Sequence, residues 1–410
     1  MEKNEIKEFS KVSWAVFLFT ITVVLISLVS VVFPALFTET FFQNELDGYG
    51  ISEHFSLNPF EIGGLALPLV VTNIIIFGMF YFFKKRELVE RIDYLRRFKI
   101  SRKISIIIVI IIILGYSSVS VGEIQFGKNV SEIGEIYGDW DRLKHKLSNM
   151  ENIWPEEVAS FEPHVKHSLL KISEAVFGNF FVIPFLSSIG LLIITYLFTS
   201  QVAHSRLAGL ISMLLVLQSN LFLTFDTSAA FSSFWIFFYL LSLYLAIKAW
   251  PLSPIFYIVS IFSKTLTLFF GPMSIFFVLN SNMKKQQKII VTVSILIIII
   301  IGITISTTQT SVEVKWSADE FWLGFSAFAF QMRLDSIFVL FLLPLIVGLF
   351  IITKTNRHAN SLLILLAGTL LSAPFVTGLT DQTNQPYRFL PFIVFFSISV
   401  GMIFTNRKIR

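Results

Sequence analysis

Residues 23–37, 104–115 and 289–305 are close to uninterrupted apolar runs, and they decide the solvent of this chain before they decide its fold. A bilayer core about 30 Å thick takes roughly 20 apolar residues at about 1.5 Å each. Inside it every backbone N–H and C=O must pair within the chain, so such runs are helices. A membrane barrel would show short alternating segments, and none are visible. Apolar residues make up 54% of the chain and mean hydropathy is +0.75, so the whole protein, not one anchor, belongs in lipid. Residues 1–11 are polar and no small-residue cleavage site follows the first run, which reads as an anchor rather than a signal peptide.

The pattern predicts an all-α, polytopic membrane protein with about ten full spans plus a pair of short half-helices. The spans fall near 13–37, 64–83, 104–121, 178–201, 207–225, 229–247, 289–307, 336–353, 360–378 and 389–404. The stretch 252–280 behaves differently. Pro251 and Pro254 open it, Lys264 interrupts it, and Gly271-Pro272 breaks it again, which suits two half-helices returning to one side.

Orientation follows from charge. The connector 84–103 carries nine of the 32 Lys/Arg, and the positive-inside rule places it in the cytoplasm. Both termini then face the cytoplasm, and the long loop 121–178 faces outward. Within that loop, 139–150 and 165–176 have the apolar spacing of amphipathic helices lying on the membrane. Trp140, Trp154 and Trp316 suit the headgroup zone. Asn129-Val-Ser131 is a glycosylation sequon on that side. With no cysteine, disulfides and thiolate chemistry are excluded, and basic residues sorted by side do not suggest nucleic acid.

A few polar residues stand out against this background. In an extended segment Asp139 and Asp141 would point the same way, as a base for a hydroxyl acceptor or as ligands for a divalent metal, Mg²⁺ or Mn²⁺. The competing reading is a helix start, with Asp139 as N-cap and Asp141 favourable to the dipole. Lys264 is an ionisable group in an apolar stretch, a functional candidate by default and a point charge for phosphate, unless it snorkels to an interface. Arg388, in 384–391, could grip a lipid phosphate bidentately or anchor the span end. His164 and His167 share one helix face; without a supporting constellation they read as solvated loop histidines rather than a metal site. Asp226 reads as a cap at the start of the following span.

Four stretches in this order resemble the C-type (GT-C) polytopic membrane glycosyltransferase superfamily, which includes dolichyl-phosphate-mannose protein mannosyltransferases and lipid A aminoarabinose transferases. They are Ile136-Tyr-Gly-Asp-Trp-Asp-Arg142, the passage from Phe161-Glu-Pro-His164 to Leu207-Ala-Gly-Leu210, Ser263-Lys-Thr-Leu266 with Gly271-Pro272, and Pro386-Tyr-Arg-Phe-Leu-Pro391. The likeness covers about 104–404 and makes 1–103 a two-span N-terminal extension, with 104–410 the catalytic region. It implies a polyprenyl- or dolichyl-phosphate sugar donor, an acceptor protein or glycolipid, and transfer with inversion on the outer face. It also implies Asp139 as base with Asp141 second, and Lys264 and Arg388 on the donor phosphate. Glu162, His164 and Tyr387 would line the acceptor or donor loop. In the family the acidic loop follows the first span, whereas here it follows the third; otherwise the acid lies at Glu39 or in 44–47. The readings from other classes are a transporter of a lipid or small anion, and a non-catalytic subunit of a membrane complex.

Overall fold

The computed structural model describes residues 9–37, 58–85, 99–126, 139–150, 164–309, 316–380 and 386–405. The sequon at Asn129, Trp154, Glu162, the 39–47 acids and most of the basic connector lie outside the described residues. The regular elements among those described are all helices, in this order: α1 Lys11–Val32, α2 Ala66–Lys85, α3 Arg102–Phe126, α4 Asp139–Ser148, α5 His164–Phe177, α6 Val182–Ala203, α7 Arg206–Leu217, α8 Asn220–Phe225 and α9 Phe234–Lys248. There follow α10 Ser253–Ser263, α11 Gly271–Asn280, α12 Lys285–Gln309, α13 Ala318–Gln331, α14 Ser336–Leu340, α15 Leu342–Ile352, α16 His358–Thr380 and α17 Leu390–Ile403.

Eight of the described helical segments are long and apolar enough to cross a bilayer. This is a helical membrane protein, and the expected count of ten full spans is finer than the structure supports. The stretch read as 207–225 is broken: Gln218 ends α7, and the Ser219 hydroxyl accepts from the Phe222 N–H to start α8. The 229–247 stretch yields only the 15 residues of α9, about 22 Å of helix. The 336–353 span is interrupted at Phe341, between α14 and α15.

The chain forms two compact units, 1–98 with 314–410, and 99–313. In the first, α16 and α17 are the centre, with 72% and 78% of their apolar windows buried against 11% for α2. Helix α1 runs alongside α16, tied by Asn360 Nδ2 donating to Ser13 Oγ (3.1 Å) and Thr20 Oγ1 donating to the Leu363 carbonyl (3.2 Å). The segment between the expected spans 289–307 and 336–353 contains the packed helix α13. Its Gly324 seats on Pro374 of α16, where a Cβ would come within 2.4 Å of the proline Cα.

In the second unit, α6 and α7 turn about His204, which takes a left-handed φ of 51°. Gly209 lets α7 press against Tyr196 and Ser200 of α6. Helices α9 and α10 are antiparallel: Ser242 Oγ donates to the Ser253 carbonyl (2.8 Å) and Ser260 Oγ to the Trp235 carbonyl (2.6 Å). Many other buried hydroxyls bond back to a carbonyl three or four residues earlier, for example Thr195 to Leu191 and Ser212 to Ala208, which satisfies them without water.

The 252–280 stretch folds back on itself, as its breakers predict. Helix α10 stops at Lys264, whose backbone is extended (φ −163°, ψ 122°), and a 3-10 turn over Thr265–Phe270 leads into α11. The Tyr257 hydroxyl donates to the Thr267 carbonyl at 3.1 Å, whereas ten residues of straight helix would set them about 15 Å apart. The turn packs against Ile299 and Gly302 of α12. Those residues lie 14 and 17 positions past Lys285, so the hairpin tip reaches about 21–25 Å along that helix.

Candidate functional site

One end of the 99–313 unit gathers the hairpin tip, the two loop helices and a buried acid. Helix α4 buries Trp140, Leu143 and Leu147 in an apolar cluster with Leu170, Phe181, Ala229 and Phe234. Trp140 lies 5.2 Å from the Phe181 ring and is 6% exposed, so it is a core residue of this unit and not the headgroup anchor expected of it. The aromatic ring had more apolar surface to bury against α5, α6 and the 226–234 turn than an interface would cover.

Because Asp139 is the first residue of α4 and Asp141 the third, the Asp-x-Asp is helical. At about 100° per residue the two positions sit about 200° apart around the axis, so they do not share a side as positions i and i+2 of an extended segment would. Asp141 is exposed. Among the described residues no three His, Asp or Glu come together as a metal site.

Helix α5 begins at His164, and both His164 (5%) and His167 (3%) are buried. The expectation of solvated histidines fails because the face they share is the one α5 packs on its neighbours. The His164 ring lies 6.2 Å from Phe262, two residues before Lys264. Burial, then the charges of Lys166 and Lys146, push the His167 pKa down to about 3, leaving it neutral. Lys166 Nζ donates to the Ala230 carbonyl and pins α5 to the turn ahead of α9. Lys264 itself is half-buried at the hairpin tip.

The sequence underrated Asp226. It does not cap α9, whose N-cap is Ser233; it closes the short helix α8 at its C-terminus, with the side chain 2% exposed. Ser120 Oγ of α3 donates to Asp226 Oδ2 at 2.9 Å, and the Tyr116 hydroxyl faces the same carboxylate. Ser188 of α6 donates to the Asp226 carbonyl (2.7 Å) and lies 3.0 Å from Ser233 Oγ. Thr227 Oγ1 approaches Glu123 at 3.5 Å. A carboxylate withdrawn from water among hydroxyls inside a membrane protein is costly and marks a functional candidate. The readable signal was Ser120, one turn after Tyr116 on the same predicted span, but nothing in one dimension pairs that face with residue 226.

Arg388 and Tyr387 belong to the other unit, in the 3-10 turn Pro386–Phe389 that opens α17. Tyr387 is buried and Arg388 half-buried. The chain matches no family model, no curated protein and no solved structure.

Proposed function

We propose that this protein is an integral-membrane glycosyltransferase that uses a polyprenyl- or dolichyl-phosphate sugar and works on the outer face. The observation that carries the reading is the folded-back hairpin: it presents Lys264 at the same end of one unit as the acid-bearing helix α4 and the buried Asp226. The resemblance to C-type glycosyltransferases points the same way. In this reading both termini are cytoplasmic, the 121–178 loop is outside, and 252–280 is a re-entrant hairpin.

Asp139 accepts the proton of an acceptor hydroxyl on a protein or glycolipid. The freed oxygen attacks the anomeric carbon from the face opposite the phosphate, the carbon–oxygen bond to the phosphate breaks, and the anomeric centre inverts. The electron pair leaves with the polyprenyl phosphate, whose growing charge Lys264 offsets. Asp141, Glu162, His164 and Tyr387 are the secondary candidates. Asp226, withdrawn from solvent, braces α3, α6 and the turn beneath α4.

The test is transfer by purified full-length protein from a panel of labelled polyprenyl-phosphate sugars, with Asp139→Asn and Lys264→Gln alongside wild type. Loss of turnover in Asp139→Asn, with Lys264→Gln mainly raising donor KM, is the expected pattern. Wild type inert toward every donor, but moving a labelled lipid or anion across vesicles, would replace the enzyme with a carrier.

A further inference from the structure

An arginine stands in an exposed apolar stripe of the unit formed by 1–98 and 314–410. Phe330, Leu334, Ile337 and Phe341 are exposed at 59%, 70%, 49% and 43%, and Arg333 is exposed among them. Their separations of three, four, seven and eleven residues keep them on one side of a helical path. The Arg333 guanidinium carbon lies 4.4 Å from the centroid of the Phe330 ring, a cation–π contact that holds the charge over apolar surface.

The level of this charge along α17 follows from the rings on either side of it. Phe328 lies 6.0 Å from Phe389 and 5.4 Å from Phe392, and Phe338 lies 5.0 Å from Phe396. Arg333, between the two, is therefore level with the first two turns of α17, about 5–10 Å in from that helix's start. Asp335 is turned into the core, at 4% exposure. Arg333 also opens a candidate membrane span, where an exposed guanidinium beside apolar surface is best stabilised by an anion.

We infer that Arg333 binds the phosphate of an anionic bilayer lipid, with the lipid chain lying along Phe330, Leu334, Ile337 and Phe341. A cation set beside an apolar stripe is the complement of an anionic amphiphile; a phosphate ion from water would gain nothing from the stripe. All the stripe residues are exposed, which suits a lipid of the surrounding bilayer. This inference does not rest on the transferase reading.

The chain has no cysteine, so Ile74→Cys, an exposed position of α2 beside the Asn73 that meets the Leu340 carbonyl, gives a unique fluorophore site next to the stripe but outside it. The labelled full-length protein is placed in bilayers carrying nitroxide-tagged phosphatidylglycerol or phosphatidylcholine. Quenching should show an association about five-fold stronger for phosphatidylglycerol, as expected for one arginine near the surface. Arg333→Gln should bring the ratio to about one, and Arg333→Lys should keep part of it. Equal quenching by the two lipids with Arg333 present, or a preference unchanged in Arg333→Gln, would overturn the assignment.

Discussion

The Tyr257 hydroxyl donates to the Thr267 carbonyl across the hairpin turn, and Tyr239 reaches the Phe270 carbonyl from α9 at 3.3 Å. The two bonds are not equivalent. The Phe270 carbonyl also receives Ser274 Oγ at 3.0 Å. Tyr257→Phe should therefore cost more than Tyr239→Phe, by about 1–3 kcal/mol if the Thr267 carbonyl is left short of a partner in a water-free interior. Thermal unfolding in detergent, with both variants side by side, measures the difference.

Two glycines of the 1–98/314–410 unit make opposite predictions. Alanine at Gly324 would drive a Cβ to 2.4 Å from the Pro374 backbone, which cannot step aside, and should destabilise by about 1–3 kcal/mol. At Gly348 the nearest atom is Ile403 Cδ1 at 3.8 Å, ordinary contact. Gly348→Ala should stabilise α15 by up to about 1 kcal/mol through helix propensity. Melting temperatures of the two variants moving in the same direction would contradict this account of the packing.

Replacing Asp226 by Ala removes the acceptor of the Ser120 hydroxyl and should cost about 1.5–3 kcal/mol. Asp226→Asn keeps the shape and an oxygen for Ser120, so it should fold nearly as well. A sugar-transfer assay on Asp226→Asn then separates a brace, which the amide can replace, from a charge the reaction needs.

His167 predicts a pH dependence with a definite sign. Its folded pKa of about 3 lies below the ordinary value of 6.5. The unfolded form thus binds a proton that the folded form refuses, and stability falls as pH drops from about 6.5 toward 3. Hydrogen exchange in α5 should speed up over that window in wild type. In His167→Gln, which carries no titrating ring, the acceleration should shrink.

Much of the fold was legible because the bilayer leaves the backbone so few choices. Apolar runs of sufficient length became helices, and the apolar spacing at 139–150 and 165–176 matched α4 and α5. The return of the chain at 252–280 was written in Pro251, Pro254 and Gly271-Pro272. The break at Gln218-Ser219 was missed because the apolar count of 207–225 hides a side chain that caps locally.

The site was less readable, for a physical reason. Sequence alone determined that the chain lies in membrane as helices, that 252–280 turns back, and that a lysine stands at the turn, since solvent, breakers and charge act on adjacent residues. Tertiary structure decided which polar groups leave water. Trp140 and the histidines became core, the two aspartates of α4 parted around a helix, and Asp226 met Ser120 from 106 positions away. Burial depends on what packs opposite a side chain, and that partner is set by the fold and not by the neighbouring residues.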